Sequence, residues 1–296
     1  MAGNGVTSAA LWLMLATILQ PARAGVVIAY ESGVDAYAEA MEGLRAGLGT
    51  IPLSVVDLRA PGGIDELARL AAARDTRAVI TVGMGALKEV QAHKPAAPVI
   101  AAMVLHGSDV EAVAAHVDLD IALSTQLETM KALLPRSSRV GVILNPNNSR
   151  YSAGVLESRA RREGFTLVWV ECDGPNHLLK ALASLKGKVD FVLCFPDSDF
   201  YNPVTIKPLV LASLEGRLPL VGFSPAFVRA GAVAGIYPDY REMGHQIAEL
   251  ALRTIKSGER VADEGPVRVR VAVNQRVARL LGLEFRTVSF PVEVLH

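Results

Sequence analysis

Short apolar runs of strand length, each followed by a segment of helical period, recur along this chain and restrict its fold more than any other feature. Residues 26–30 (VVIAY) precede 34–48, where Ala38, Met41, Leu44 and Leu48 fall at helical spacing. Residues 51–58 are strand-like, and 64–73 put Ile64, Leu67, Leu70 and Ala71 on one helical face. Residues 78–82 and 99–105 complete four such runs. Runs that are apolar on both faces and separated by helices predict a parallel sheet covered on both sides.

A polar, weakly patterned stretch follows at 106–120, and then the pattern restarts. Helices are expected at 126–134, 152–163, 177–185 and near 204–214, with strands at 139–144, 166–171, 189–195 and 218–223. The last quarter differs. A strand at 232–237 leads into an amphipathic helix at 240–255, with Met243, Ile247, Leu250 and Ala251 inward and Ser257-Gly258 ending it. The segment VRVRVAV (267–273) alternates with period two, as a half-exposed edge strand does, and 275–281 is again amphipathic. The predicted fold class is α/β, with two doubly wound parallel-sheet lobes joined by a hinge.

A length of 296 residues fits about two domains. With 51% hydrophobic residues the chain fills sizeable cores, and a formal net charge of zero offers no general attraction for nucleic acid or anionic lipid. Residues 9–20 are apolar but too few to span a membrane comfortably, and Pro21 breaks them. Ala22-Arg23-Ala24 then supplies the small-x-small pattern of a signal-peptidase site, although no Lys or Arg precedes the apolar run. Cleavage after Ala24 is expected, and no Cys follows that could carry a lipid anchor. The periplasm is the compartment this implies. Cys172 and Cys194 are too few for a disulfide framework or a zinc–thiolate site, and are expected to be buried free thiols.

Enzyme constellations are missing. Gly83-Met-Gly85-Ala-Leu-Lys88 opens like a dinucleotide fingerprint, but Lys88 stands in place of the third glycine. Neither the phosphate-binding loop nor the nucleophile elbow is found, and the six histidines form no H-x-x-x-H pair. His106 with Asp109 or Asp118 reads as a group of loop residues rather than an acid–base pair. No catalysis, cofactor or metal is expected. In open parallel sheets, ligands bind beyond the carboxyl ends of the strands. That rule selects Glu31 and Ser32, then Gly83 with Met84, then Asn145, Asn148, Ser149, Asp197 and Phe223, with Tyr37 near the first loop and Asp239 at a crossover as further cleft candidates. Ser32, Asn148, Ser149 and Asp173 are equally good helix N-caps, and Asp197 with Asp199 equally fits a turn beside Pro196. As ligand groups, Tyr37 and Phe223 would wall in an apolar part, and Asp197 would receive an ammonium. A carboxylate would meet the N–H groups beyond Asn148.

Five short segments stand in an order that resembles one known family. LPRSSRVGVILNP (134–146) is similar to the "LLP…RVGVLYNP" opening of the second lobe in the ABC-transporter solute-binding family with tryptophan- and tyrosine-binding members. VDFVLCFPD (189–197), LPLVGF (218–223), GAVAG (231–235) and DYREMG (239–244) follow in register. Where that family carries an Asp-Pro loop and a "GNxTG" turn, this chain has LHGSD (105–109) and DLDIALS (118–124). The resemblance implies the type I periplasmic-binding-protein fold, with crossovers near 119–123, 235–238 and 265–268. Lobe one would hold 25–120 plus 237–265, and lobe two 121–236 plus 266–296. It further implies a monomer that binds an amino-acid-like solute and serves an ABC permease in the inner membrane, or alternatively a membrane sensor.

Overall fold

The computed structural model of the chain describes residues 25–105, 113–147 and 152–295. The expected signal segment 1–24, His106, Asp109, Asn148 and Ser149 lie outside the described residues. Lobe one begins with β1 (Val26–Tyr30), α1 (Asp35–Leu48), β2 (Leu53–Asp57), α2 (Gly63–Ala71), β3 (Ala78–Val82) and α3 (Met84–His93). β4 (Val99–Val104) and β5 (Ala115–Asp118) complete a sheet in the order β2-β1-β3-β4-β5, parallel throughout. Lobe two contributes α4 (Leu123–Leu133), β6 (Arg139–Leu144), α5 (Ala153–Arg162), β7 (Thr166–Glu171), α6 (Leu178–Leu185) and β8 (Phe191–Leu193). It continues through α7 (Ile206–Glu215), β9 (Leu220–Gly222), α8 (Pro225–Ala230) and β10 (Ala234–Pro238). The chain then returns to lobe one as α9 (Tyr240–Ser257) and ends in lobe two with β11 (Val269–Asn274), α10 (Gln275–Leu281) and β12 (Val292–Leu295). The second sheet runs β12-β11-β10-β9-β8-β6-β7, with β10 and β11 its antiparallel pair.

The apolar runs explain the layering. Val26 and Ile28 face a core made with Met41 and Leu44 of α1 and Met243 and Ile247 of α9. Their neighbours Val27 and Ala29 face Leu67 and Leu70 of α2 and Val90 of α3. All four β1 residues are fully buried, and each buried aliphatic side chain contributes about 1.5–3 kcal/mol. The α1–α9 contact is close because glycines meet there. A Cβ on Gly43 would collide with the Arg241 carbonyl, and one on Gly244 with the Ala40 carbonyl.

Two expectations need correcting. The stretch 106–120 holds a strand, β5, concealed because its second residue is a histidine, His116. Where β4 pairs with β5 the register shifts between Ala102 and Val104, across Met103 at φ 54°. β11 is not an edge strand, because β12 pairs with it on the side away from β10. Its alternation has another cause: Val271 and Val273 enter the main core of lobe two, while Arg270 reaches out to Glu39 at 3.4 Å.

The chain passes between the lobes after β5, at Pro238–Asp239, and between α9 and β11. β10 continues to Pro238, one residue beyond the strand expected from the sequence. Cys172 and Cys194 are both buried and free. They lie beyond the ends of β7 and β8, which β6 separates, so their Cα atoms are roughly 10 Å apart, too far for a disulfide.

Candidate functional site

At the carboxyl end of lobe one, β2 positions the loop after β1. One Asp57 oxygen accepts the N–H groups of Ser32 (3.1 Å) and Arg59 (3.0 Å), and the Arg59 guanidinium donates to the Ser32 carbonyl at 2.7 Å. A hydrogen bond from the Ser32 side chain, with these N–H groups and the Arg59 charge, holds the Asp57 carboxyl below its ordinary range. Ser32 is therefore tied sideways to β2 rather than capping α1, whose N-cap is Val34 with no side-chain bond.

Tyr37, Glu31 and Gly83 come together above this loop. Gly83 has φ +90°, and a Cβ there would collide with the Tyr37 hydroxyl. The Glu31 carboxylate rests 2.7 Å from where a Gly85 Cβ would be, on the first turn of α3. Both glycines let side chains lie directly on backbone. Burial, then the Glu31 charge, raise the Tyr37 phenol, against a smaller lowering by Arg59. Met84 packs partly into the core with Leu87, Ala101 and Val104.

On lobe two, Asn145 at the end of β6 donates to Asp197 at 3.0 Å and to Asp199 at 3.5 Å, while its own oxygen accepts the Asn147 N–H at 3.0 Å. The other Asp197 oxygen accepts the N–H groups of Asp199 (2.9 Å) and Phe200 (3.3 Å). Asp197 is thus both a turn residue and part of a polar group with Asn145 and Asp199. Phe223 meets Tyr201 edge to face (5.7 Å) and packs at a tilt against Phe227 (5.5 Å). Asp239 accepts the Glu242 N–H and caps α9.

Between the lobes lies a cavity of about 240 Å³ lined by Leu105 from lobe one, Phe223, Pro196 and Ser224 from lobe two, and Leu119, Ile121 and Tyr240 from the crossovers. Two of its polar side chains are engaged with backbone. Gln126 donates to the Ile121 carbonyl, and Ser224 accepts the Phe227 N–H. Its walls are therefore mostly apolar. Gln126 stands away from strand ends and escapes the sequence rule, whereas Ser224 follows β9 and Tyr240 follows β10, and both obey it; Asp57 and Arg59, at the end of β2, obey it too but carry no pattern that marks them.

Burial pushes the Cys194 thiol up to about 12, against a lowering by its Tyr201 hydrogen bond, so it stays a neutral thiol near pH 7. No group of His, Cys, Asp and Glu among the described residues could hold a metal ion.

Residues 96–285 match the ABC transporter substrate binding protein family. The chain belongs to that family. Over 146 residues it is 28% identical to a tyrosine-binding protein of Clostridioides difficile strain R20291, covering 48% of this chain and 41% of that relative. The match thus spans less than half the length of this curated relative. Among solved structures, the ligand-free, open form of a substrate binding protein with adhesive properties from Clostridium difficile superposes with TM-score 0.69 and 17% identity. It covers 92% of this chain and 98% of that one. A Streptococcus pneumonia ABC domain in complex with L-Trp superposes with TM-score 0.59 and 16% identity, over 88% of this chain and 95% of that one. These likenesses establish the type I periplasmic-binding-protein fold for this substrate-binding protein. Among the described residues no helix is long and apolar enough to cross a membrane.

Proposed function

We propose that this substrate-binding protein captures an amino-acid-like solute with an aromatic or apolar side chain by closing its lobes, without catalysis, and hands it to an ABC permease. The observation that carries this reading is the mostly apolar cavity between the lobes, which Phe223 lines and whose Pro196 directly precedes Asp197 in the chain. Phe223 and Tyr240 would wall in the side chain, and Asp197, steadied by Asn145, would take the ammonium. Glu31, Tyr37 and Gly83 would form the opposing rim on lobe one. The tyrosine-binding relative and the L-Trp complex support an aromatic amino acid as ligand.

Titration and thermal shift with L-tyrosine, L-tryptophan, other amino acids, peptides, sugars and purines test this. An aromatic amino acid at about 100 times its dissociation constant is expected to stabilise the protein by roughly 2.7 kcal/mol. Stabilisation by a sugar or a purine alone would overturn the reading. Export to the periplasm, with Gly25 as the mature N-terminus, belongs to the same proposal. Mass spectrometry of the periplasmic fraction checks it, and an intact Met1 found in the inner membrane would refute it.

A further inference from the structure

The last connection between the lobes is stitched to the edge of lobe one before it enters β11. The Val261 N–H donates to the Ala114 carbonyl (2.9 Å), the Glu264 N–H to the His116 carbonyl (3.0 Å), and the Asp118 N–H to the Glu264 carbonyl (3.0 Å). Enclosed in this joint is the His116 side chain, which is 0% exposed. Its Nδ1 lies 3.0 Å from an Asp263 oxygen, and its Nε2 lies 3.7 Å from an Asp118 oxygen. Asp118 ends β5 and opens the first crossover, where its other oxygen accepts the Asp120 N–H at 2.8 Å. Asp263 belongs to the last connection. One imidazole therefore spans the carboxylates of two different links between the lobes.

The charged groups around the ring come from several elements. Arg260 lies 3.2 Å from Asp263, while Glu264 is taken by Arg253 and Gln246 of α9. On β4, the register partner of His116 is apolar, Ala101. Asp118, Asp263, Arg260 and His116 are electrically balanced only when His116 is protonated. A protonated ring presents an N–H on each nitrogen, one on the side of each carboxylate, with the 3.7 Å Asp118 contact an ion pair rather than a hydrogen bond. A neutral ring has one donor and one lone pair, so one carboxylate would face the lone pair of a ring that is itself closed to water. Burial raises the Asp263 carboxyl, but the His116 hydrogen bond and charge, with Arg260, outweigh it and hold it below the ordinary range.

We propose that His116 is a positioning residue of the hinge: as imidazolium it clasps the first and last crossovers together and sets the angle between the lobes, and its deprotonation releases that angle. Ligand capture then depends on pH through a group that does not touch the ligand, an inference that rests on capture by lobe closure.

The test uses ligand-free protein with pH-insensitive dyes on Glu66→Cys of α2 and Lys180→Cys of α6, both exposed positions. Energy transfer between them is read from about pH 5 to 8, the range in which histidine changes charge. A narrow distance distribution is expected at the acid end, broadening toward the alkaline end. In His116→Gln, which keeps an N–H donor but stays neutral, that pH dependence should be lost. Asp263→Asn should be broad already at pH 5. A distribution that does not move with pH in the parent protein would overturn the clasp, as would unchanged pH dependence in His116→Gln. If His116→Gln does not fold, Asp263→Asn decides on the same criterion. Failure to bind L-tyrosine or L-tryptophan would instead strike the proposed function and leave this measurement intact.

Discussion

Asp197 shows how one side chain can carry a turn and a site together. One oxygen holds the Asp199 and Phe200 N–H groups, and the other receives Asn145. The substitutions Asp197→Asn and Asp197→Ala separate these tasks. Asparagine keeps an acceptor for the turn but loses the charge and the oxygen that receives Asn145, so affinity for an ammonium-bearing ligand is expected to fall roughly tenfold or more, with a small change in melting temperature. Alanine leaves two N–H groups without their acceptor and is expected to cost a further 1–3 kcal/mol or so of stability. Calorimetric titration beside melting curves reads both, and equal affinities in Asp197→Asn and the parent would remove Asp197 from the site. Asp57 makes a different prediction. A carboxyl held low in the folded chain adds stability above its unfolded value, near about 3.9, and that stability is lost as pH falls through the folded value. Asp57→Asn should therefore unfold with a shallower dependence on acid, which denaturation between about pH 2 and 6 would measure.

Among elements, the α1–α9 crossing is where sequence and packing pull in opposite directions. Gly244 stands inside an 18-residue helix, where glycine costs about 1 kcal/mol relative to alanine. Propensity alone would make Gly244→Ala stabilising. The methyl would meet the Ala40 carbonyl, rigid backbone of α1, and the helices would have to part, loosening Met243 and Ile247 from the core. That strain outweighs the propensity gain, and a net loss of about 1–3 kcal/mol is expected from the urea midpoint. A more stable variant would show that the crossing has slack. Helix caps tell a related story. Ser224, Asp239 and Asn274 each accept an N–H at the start of their helix. Ser32, an equally good cap by residue type, is drawn to Asp57 instead. Residue type names candidates for a cap, and the path of the neighbouring strand selects among them.

At the scale of the whole molecule, two sheets with separate cores are joined by three chain passages, and the cavity lies beside the first two. Saturation with L-tyrosine or L-tryptophan is expected to lower the radius of gyration seen by small-angle scattering, as the lobes close on the cavity. An unchanged radius under saturating, calorimetrically verified binding would argue against closure.

Sheets buried on both faces leave a local trace, since every residue of such a strand must be apolar whatever its neighbours are. The class of fold, the strands other than β5 and β12, and the strand ends on which Glu31, Gly83, Asn145 and Asp197 stand were therefore legible from periodicity. Pairing is not local. Nothing in VRVRVAV tells that β12 will cover it, because its partner is separated from it by α10 and an irregular segment. Nothing around His116 marks it as buried, because the two carboxylates that make burial tolerable come from opposite ends of its surroundings, Asp118 two residues away and Asp263 beyond α9. A polar residue in a strand reads as exposed until its counter-charges are in place, and only the folded chain brings them there.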